Sequence, residues 1–555
     1  MKRLWCLALL IATVSHAQKG LVAKKAMVVS ARIEASKIGA DVIQQGGNAF
    51  DAMIATQLAL AVAYPYAGNI TGGGFMVYRM ADRKTGTLDF REVAPLAATK
   101  DMFLDANGNV VATASTESGL SVGVPGSVAA IFEVHQKYGS MPMAKLIAPA
   151  IALAEKGLVV TSKQLKQIAA NKESIVRLNG DKTIYSRDLK VGDTIKYPEL
   201  AATLRRIAKN GRDEFYKGET AKKLIGYLKQ KGGIMTAKDL ESYTVVWRDP
   251  ITFNYKNLKI ISMPPPSSGG ICLGQIFQMI EPFRLETYKH NSEKYIQLLT
   301  EAERRSYADR NHFLGDPDFT KMPIRKLLDK NYLYDRIETF SFNKATPSSE
   351  VGHGEIQASE SDETTHYSIV DSKGNAVAVT TTLNGAFGSK LYCEPLGVFL
   401  NNEMDDFSAK PGTPNLYGLV GAEANSIAPR KRMLSSMTPT IVEKNGRLLM
   451  LLGSPGGSTI ITSVLQNILN VTEFRMGMQQ SVAAPRFHHQ WLPDEVLFEP
   501  NGFAPDLLQS LEKKGYHTRV AQAPIVGKVD AILVLPDGTL EAGADPRGDD
   551  AAAGF

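Results

Sequence analysis

The sequence predicts a layered α+β fold in which helices pack outside β-sheets. Helical spacing of apolar residues marks the first part of the chain, and short runs of β-branched and aromatic residues recur further on. The clearest strand pair is a hairpin, in which residues 365–370 meet residues 376–382 across the turn 371–375. Helices in one region and hairpins in another favour stacked layers, because each element must bury its apolar face against another.

The first predicted helices lie before residue 65. Ile38 and Val42 have helical spacing, and Gly46 ends that helix. Asn48 has the side chain of an N-terminal cap for an apolar helix over residues 49–64. This apolar stretch contains Asp51 and other polar residues, so we expect a buried core helix and no membrane span.

Further elements follow the same rules. A helix around residues 146–155 is expected to end at Gly157. Short β-branched and aromatic runs predict strands in four places before the hairpin. These runs are residues 87–90, 244–247, 251–255 and 258–263.

The N-terminus has the pattern of a secretory signal peptide over residues 1–17. Lys2 and Arg3 precede a short apolar run, and Ser15-His16-Ala17 supplies the small residues that a leader peptidase requires. We expect a mature chain that begins near Gln18, without a membrane anchor. The leader predicts export to the periplasm, and secretion beyond an outer membrane stays open.

Composition excludes some function classes. The formal charge of +6 is small for 555 residues, and there is no basic block with interleaved aromatic residues, so nucleic acid is not an expected partner. After loss of Cys6 only Cys272 and Cys393 remain, and a single disulfide between them stays open. His488-His489 lacks neighbours at metal-ligand spacing, so we expect neither a metal nor a cofactor.

The most informative boundary is the segment 341–363. It is rich in Ser, Gly and acidic residues and has almost nothing apolar to bury, so it is expected to be solvated. It leads directly into the predicted strand at Thr364. If the bond between Glu363 and Thr364 were cut, Thr364 would carry a hydroxyl nucleophile and a free α-amine with a pKa of roughly 8 as its base. Alone, the same run also fits an ordinary strand.

Several multi-residue motifs accompany this junction in a fixed order. The junction itself reads Thr364-Thr365-His366-Tyr367-Ser368, and the others are Gly72-Gly73-Gly74-Phe75, Asp89-Phe90-Arg91-Glu92, Thr382-Leu383-Asn384, Asn401-Asn402-Glu403-Met404-Asp405-Asp406-Phe407, Arg430-Lys431-Arg432, Leu434-Ser435-Ser436-Met437 and Gly453-Ser454-Pro455-Gly456-Gly457-Ser458. Together they resemble the γ-glutamyltranspeptidase (γ-glutamyltransferase) family of bacterial type. The resemblance covers essentially the whole mature chain.

The resemblance implies a fold and a division of the chain. The fold is the N-terminal-nucleophile hydrolase αββα sandwich, with two stacked antiparallel sheets flanked by helices. Self-cleavage between Glu363 and Thr364 would yield a large subunit over residues 18–363 and a small subunit over residues 364–555. The two subunits would form one interlocked domain.

The resemblance also implies roles for the residues that bind the amino acid head group. Arg91 would hold the α-carboxylate of a γ-glutamyl group, with Ser435 and Ser436, and a guanidinium presents paired donors for this purpose. Asn384, Glu403 and Asp406 would hold the α-ammonium from the opposite side. Taken singly, these residues also fit a surface ion pair of Arg91 with Glu92, an acidic surface turn and a plain Ser-Ser turn.

The remaining implied roles concern the reaction itself. Thr382 would orient Thr364, and the backbone amides of Gly456 and Gly457 would stabilise the oxyanion. The segment 411–422, with Tyr417 near its middle, resembles a lid over the substrate. Taken singly, Thr382 also fits an ordinary strand residue, the two glycines fit a tight turn, and the segment 411–422 fits a mobile loop.

The implied activity is acyl transfer through a γ-glutamyl-Thr364 intermediate. Glutathione and other γ-glutamyl compounds would be the donors, and water, amino acids or dipeptides the acceptors. Two alternatives stay open. One is a self-cleaving enzyme that hydrolyses acyl β-lactams or poly-γ-glutamate, and the other is an exported solute-binding protein.

Overall fold

The computed structural model describes residues 19–181, 183–352, 364–410, 412–413, 415–416, 418–419, 421–522 and 526–555. The predicted signal peptide, Glu363 and Tyr417 lie outside these residues. The strands are β1 Val22–Ala23, β2 Met27–Ser30, β3 Gly73–Arg79, β4 Thr85–Asp89, β5 Leu158–Val159, β6 Thr194–Ile195, β7 Val246–Arg248, β8 Ile251–Tyr255, β9 Leu258–Ser262, β10 Thr365–Val370, β11 Ala376–Thr382, β12 Tyr392–Cys393, β13 Val398–Phe399, β14 Thr440–Lys444, β15 Arg447–Gly453, β16 Phe487–His488, β17 Val496–Phe498, β18 Thr518–Val520, β19 Asp530–Val534, β20 Leu540–Gly543 and β21 Ala551–Gly554.

Helices precede, separate and follow these strands. They are α1 Ile33–Gln44, α2 Ala49–Ala63, α3 Ala112–Thr116, α4 Ser127–Tyr138, α5 Met143–Lys156, α6 Ser162–Asn179, α7 Pro198–Asn210, α8 Arg212–Tyr216, α9 Glu219–Gln230, α10 Ala237–Glu241, α11 Gly269–Ile280, α12 Glu293–Phe313, α13 Ile324–Leu327, α14 Lys330–Ile337, α15 Thr459–Thr472, α16 Met478–Ala483 and α17 Pro505–Lys513.

Two seven-stranded antiparallel sheets form the centre of the molecule. The first has the spatial order β21-β2-β10-β11-β3-β4-β7, and the second has the order β1-β20-β19-β15-β14-β9-β8. The predicted hairpin is confirmed, because β10 pairs with β11 from Thr365 opposite Thr381 to Val370 opposite Ala376. The strand that follows the candidate nucleophile therefore lies inside the first sheet, between β2 and β11.

Three apolar layers confirm the predicted sandwich. Between the sheets, Phe75 and Val77 of the first sheet pack against Ile261, Leu451 and Ile532 of the second. Helices α1, α2, α4, α5 and α7 cover the outer face of the first sheet. Helices α11, α12 and α15 cover the outer face of the second. The order of the layers is thus helix, sheet, sheet, helix.

Helix α2 shows how local sequence places a core element. The Asn48 side chain accepts hydrogen bonds from the amides of Phe50 and Asp51, and Asp51 in return accepts from the Asn48 amide. This capping box satisfies amides that the first helical turn leaves unpaired. Every residue of α2 is buried, which confirms the predicted core helix. Within the described ranges, no helix is long and apolar enough to cross a bilayer.

Both sheets mix strands from the two sides of residue 363. The first sheet takes β2, β3, β4 and β7 from before it and β10, β11 and β21 from after it. The second sheet takes β1, β8 and β9 from before it and β14, β15, β19 and β20 from after it. Chain segments interleaved in this way share one core, so neither segment forms a sandwich alone.

Two sequence expectations need correction or completion. The described part of the segment 341–363 is not solvated throughout, because Ser348 is buried and donates from its hydroxyl to the Trp491 carbonyl at 2.6 Å. Its amide donates to Asp494 at 2.7 Å, so this part is anchored to the chain beyond residue 364. The open question of a disulfide is also answered. Cys272 and Cys393 are both free, and each is buried in a different core layer.

Candidate active site

The candidate nucleophile immediately precedes strand β10. Thr364 is only 4% exposed, and it lines a cavity together with Thr382 of β11 and residues of the surrounding turns and helices. Its hydroxyl lies 3.5 Å from the Thr382 hydroxyl, at the far limit of a hydrogen bond. The antiparallel pairing of β10 and β11 places these two residues side by side, because Thr365 stands opposite Thr381.

Thr382 connects the nucleophile to the next turn. Its hydroxyl oxygen accepts a hydrogen bond from the Asn384 amide at 2.7 Å. Asn384 has a φ of 74°, in the left-handed region that asparagine tolerates better than most residues. The Asn384 side-chain amide donates to the Asn402 carbonyl at 3.0 Å. Thr364, Thr382 and Asn384 therefore lie in sequence along one wall of the cavity.

Replacing Thr382 by valine tests whether its hydroxyl orients Thr364. The variant keeps the branched shape but loses the hydroxyl that lies beside Thr364, so we expect kcat to fall about 5-fold because one orienting hydrogen bond contributes about 1 kcal/mol. KM should change little. Steady-state kinetics of the valine and serine variants provides the measurement. The serine variant keeps the hydroxyl and should remain within about 3-fold of the parent. Equal losses in both variants would contradict the role.

Arg91 lies at the centre of the charged part of the cavity. It follows β4, and its amide donates to the Asp89 carboxylate at 3.0 Å. Its side chain is fully buried and contacts the carboxylates of Glu403 and Asp406 directly. The resemblance implies that Arg91 and these acids bind opposite charges of one substrate. Both acids form ion pairs with Arg91, since a buried guanidinium needs acidic partners.

The acidic residues occupy a one-turn 3-10 helix, Glu403–Asp406, which is buried and not a surface turn. Burial raises the pKa of Glu403 to about 8, although Arg91 opposes this shift. Burial also raises the pKa of Asp406, and it raises the pKa of Glu92 well above its ordinary value. Three carboxyl groups surround one guanidinium. The three carboxyl groups together therefore retain at least one proton at neutral pH.

Ser435 and Ser436 form a part of the cavity lining that we call the serine wall. Both are buried and both line the cavity. The Ser435 hydroxyl oxygen accepts from the Met437 amide at 3.2 Å, and the Ser436 hydroxyl oxygen accepts from Arg310 at 3.1 Å. Each hydroxyl hydrogen is therefore available for an acceptor in the cavity.

Gly456 and Gly457 form the turn between β15 and α15. Their φ angles are 127° and 51°, which favour glycine. A Cβ atom on Gly456 would lie 3.1 Å from the Cα atom of Gly527. In the described residues neither amide donates to a protein acceptor. Gly457 lines the cavity with Thr364, whereas Gly456 is not among the lining residues.

The described parts of the predicted lid contact the acidic turn. The Leu416 amide donates to Asp405 at 2.8 Å, and the Asn415 side chain donates to Asp406 at 3.2 Å. Asn415 and Leu419 line the cavity. Tyr417 lies outside the described residues, so its predicted role is not tested.

The histidines have other partners. His488 contacts the Thr462 hydroxyl and the Gln490 side chain, and the His489 ring contacts Asp494 at 3.3 Å. Burial lowers the pKa of both rings, to about 3 for His488 and about 4 for His489. His366, two residues after the nucleophile, is bonded to Thr380 and Ser368 and is likewise kept neutral by burial. None of the three is needed as a base for Thr364.

Sequence reasoning missed Arg310 and Asn425, which line the cavity. Arg310 lies near the end of α12, whose composition is strongly polar although most of its residues are buried. The available signal for a functional role was the polar composition of this long helix. It could not identify Arg310 among the several charged residues of that helix, because the cavity-facing side depends on tertiary packing.

Comparison with known proteins agrees with this geometry. The family model described as Gamma-glutamyltranspeptidase matches residues 35–555. The chain is 46% identical over 538 residues to the glutathione hydrolase proenzyme of Escherichia coli (strain K12), covering 96% of this chain and 92% of that protein.

Two solved structures are also similar. The γ-glutamyltranspeptidase of Helicobacter pylori aligns with a TM-score of 0.57 at 40% identity, over 60% of this chain and 95% of that one. A cephalosporin acylase from Bacillus halodurans aligns over 99% of both chains with a TM-score of 0.84. At 24% identity it shows the fold alone.

Proposed function

Because the chain belongs to the γ-glutamyltranspeptidase family, we propose that it is a self-cleaving enzyme that breaks the γ-glutamyl amide bond of glutathione and related compounds. One observation carries the proposal. The Thr364 hydroxyl shares a cavity with Arg91, Glu403 and Asp406, whose charges match the carboxylate and ammonium of an amino acid head group.

Activation begins with the bond between Glu363 and Thr364. The Thr364 hydroxyl attacks the Glu363 carbonyl carbon, the acyl group moves from nitrogen to oxygen, and water hydrolyses the resulting ester. The products are a large subunit over residues 18–363 and a small subunit over residues 364–555. The interleaved strands of the two sheets would keep the subunits together. The new α-amine of Thr364 then serves as the base that accepts the proton of the Thr364 hydroxyl.

Catalysis proceeds in two steps. Thr364 Oγ attacks the γ-carbonyl carbon of the donor and its proton passes to the α-amine, which protonates the departing amine as the carbon–nitrogen bond breaks. The amides of Gly456 and Gly457 stabilise the oxyanion, and Thr382 orients the hydroxyl. Water, or the amine of an amino acid or dipeptide, then takes the γ-glutamyl group from the ester. We also propose that the signal peptide directs this reaction to the periplasm.

Binding of the head group requires the charged residues to exchange partners. The substrate carboxylate would approach Arg91, Ser435 and Ser436, and the ammonium would approach Asn384, Glu403 and Asp406. Glu403 Oε1 is buried without a hydrogen-bond partner, so it can accept from the ammonium. A ligand that lacks either charge would leave a buried group unpaired.

The substrate test compares γ-glutamyl anilide with glutaryl anilide, which lacks the α-ammonium. We expect kcat/KM to favour γ-glutamyl anilide by about 100-fold or more, because the glutaryl group leaves the buried acids unpaired. Adding glycylglycine should raise the rate of aniline release with ping-pong kinetics. The Asp406→Asn variant should have a smaller preference, since it removes one acidic partner.

The competing activities give different results. Higher kcat/KM on glutaryl anilide or on an acyl β-lactam would indicate the acylase alternative. Cleavage of poly-γ-glutamate alone would indicate a poly-γ-glutamate hydrolase. An exported binding protein would bind γ-glutamyl compounds without turnover and would run as one uncut band on a denaturing gel.

A further inference from the structure

We propose that Arg310 is a positioning residue for the substrate α-carboxylate, acting through Ser436 and as the uncompensated positive charge of the cavity. This inference rests on the proposed function, because it concerns how the same site recognises a γ-glutamyl head group. It assigns to α12 a part in substrate recognition that none of the sequence motifs indicated.

Arg310 differs from Arg91 in its partners. It is 3% exposed and lines the cavity that contains Thr364. Its described hydrogen bonds all go to neutral oxygens, which belong to Ser268 at 3.2 Å, Asn311 at 3.0 Å and Ser436 at 3.1 Å. Arg91, in contrast, contacts two carboxylates directly. Arg91 is thus ion-paired with carboxylates within the site, whereas Arg310 is hydrogen-bonded to none.

The charges of the cavity therefore form a dipole. Its negative end is the acidic turn at Glu403 and Asp406, and its positive end is Arg310 beside the serine wall. Burial lowers the pKa of Arg310, although nearby groups that include Asp406 oppose this shift. A buried cation without an acidic partner is costly, and a ligand carboxylate at the serine wall would reduce this cost. A zwitterionic head group fits this dipole in one orientation only.

Hydrogen-bond direction gives Arg310 a second role. A guanidinium donates and cannot accept, so the Ser436 oxygen is the acceptor of their bond. The Ser436 hydroxyl hydrogen must then point elsewhere, and the cavity is available to it. Arg310 also donates to the Ser268 hydroxyl oxygen, while Ser268 donates to the Ser435 carbonyl at 2.8 Å. One side chain thus braces both serines of the wall.

The test separates carboxylate recognition from a purely structural role. Arg310→Met and Arg310→Lys are compared with the parent enzyme, using γ-glutamyl anilide as substrate and glutamate and 4-aminobutanoate as competitive inhibitors. 4-Aminobutanoate retains the ammonium but lacks the α-carboxylate. In Arg310→Met we expect KM and the glutamate inhibition constant to rise about 10- to 100-fold, because a charge-assisted contact is lost. The inhibition constant of 4-aminobutanoate and kcat should each stay within about 3-fold.

Arg310→Lys should recover part of the glutamate affinity, since it keeps the charge but not the three-way hydrogen bonding. Arg305→Met provides the matched control. Arg305 is buried on the same helix but pairs with Glu301, and it does not line the cavity. Its replacement should leave the ratio of the two inhibition constants unchanged.

The outcomes are distinguishable. If both inhibitors weaken equally in Arg310→Met, or if the ratio does not change in either Arg310 variant, the inference is wrong. If the parent enzyme itself does not act on γ-glutamyl anilide, the proposed function is wrong. Where Arg310→Met does not fold or self-cleave, the ratio measured for Arg310→Lys decides.

Discussion

Replacing Thr364 by alanine is expected to leave one uncut polypeptide without hydrolase or transferase activity. Both the backbone cut and the turnover reaction require the same hydroxyl, so a single substitution removes both. Loss of a covalent nucleophile lowers kcat by about 10⁶-fold in a comparable acyl-transfer enzyme, which places the residual activity below detection here. Denaturing electrophoresis and intact mass measure the cut, and release of aniline from γ-glutamyl anilide measures turnover.

Thr364→Ser serves as the control. Serine keeps the hydroxyl and the α-amine but lacks the methyl group that restricts rotation about χ1. It should still yield two fragments and retain measurable activity. Terminal sequencing of the smaller fragment should begin at residue 364. An alanine variant that is cut at this position, or that turns over substrate while uncut, would refute the assignment of the nucleophile.

Local sequence signals predicted the elements well. The residue pattern of the two strands and the turn between them predicted the hairpin of β10 and β11. The Asn48 side chain and the apolar run after it predicted the helix cap. These features depend on neighbours a few residues apart. The αββα order followed from the family resemblance, since β2 pairs with β10 and with β21, and both pairings join segments hundreds of residues apart.

The site was predicted in composition but not in arrangement. The sequence placed Arg91 and the acids at Glu403 and Asp406 in one site, but it did not predict that they contact each other. Their direct contact arises because burial makes an unpaired charge costly, and that cost depends on a cavity which no local pattern describes. Arg310 was missed for the same reason. Its proposed role rests on the absence of a carboxylate among its described hydrogen-bond partners, which depends on tertiary packing.

Replacing Arg91 by methionine is expected to lower stability strongly as well as activity. The arginine is buried, and its removal leaves Glu403 and Asp406 without their cation. Breaking a buried ion pair by removing one partner costs about 3–5 kcal/mol. The comparison should be made in the uncut Thr364→Ala chain, so that dissociation of subunits does not contribute. Urea or thermal unfolding at several pH values gives the measurement.

The pH dependence of unfolding shows whether unpaired carboxyl groups or lost packing cause the lower stability of Arg91→Met. Burial already raises the pKa of Glu403 to about 8 with Arg91 in place, and the pKa must rise further when the guanidinium is lost. Between its unfolded pKa, about 4.3, and this raised value, the folded chain binds more protons than the unfolded chain. Stability therefore falls as pH rises through this window. The deficit of Arg91→Met should be larger at pH 8 than at pH 5, and a deficit independent of pH would indicate lost packing instead.

Adding Glu403→Gln and Asp406→Asn to Arg91→Met separates stability from binding. The triple variant has neither the guanidinium nor the two carboxylates, so no strong charge remains uncompensated at this position. Most of the lost stability should return, because replacing both members of a buried pair is far less costly than removing one. Affinity for glutamate should not return, since the groups proposed to hold its carboxylate and ammonium are gone. Recovery of both together would mean that Arg91 acts only through the folded state and does not bind the substrate.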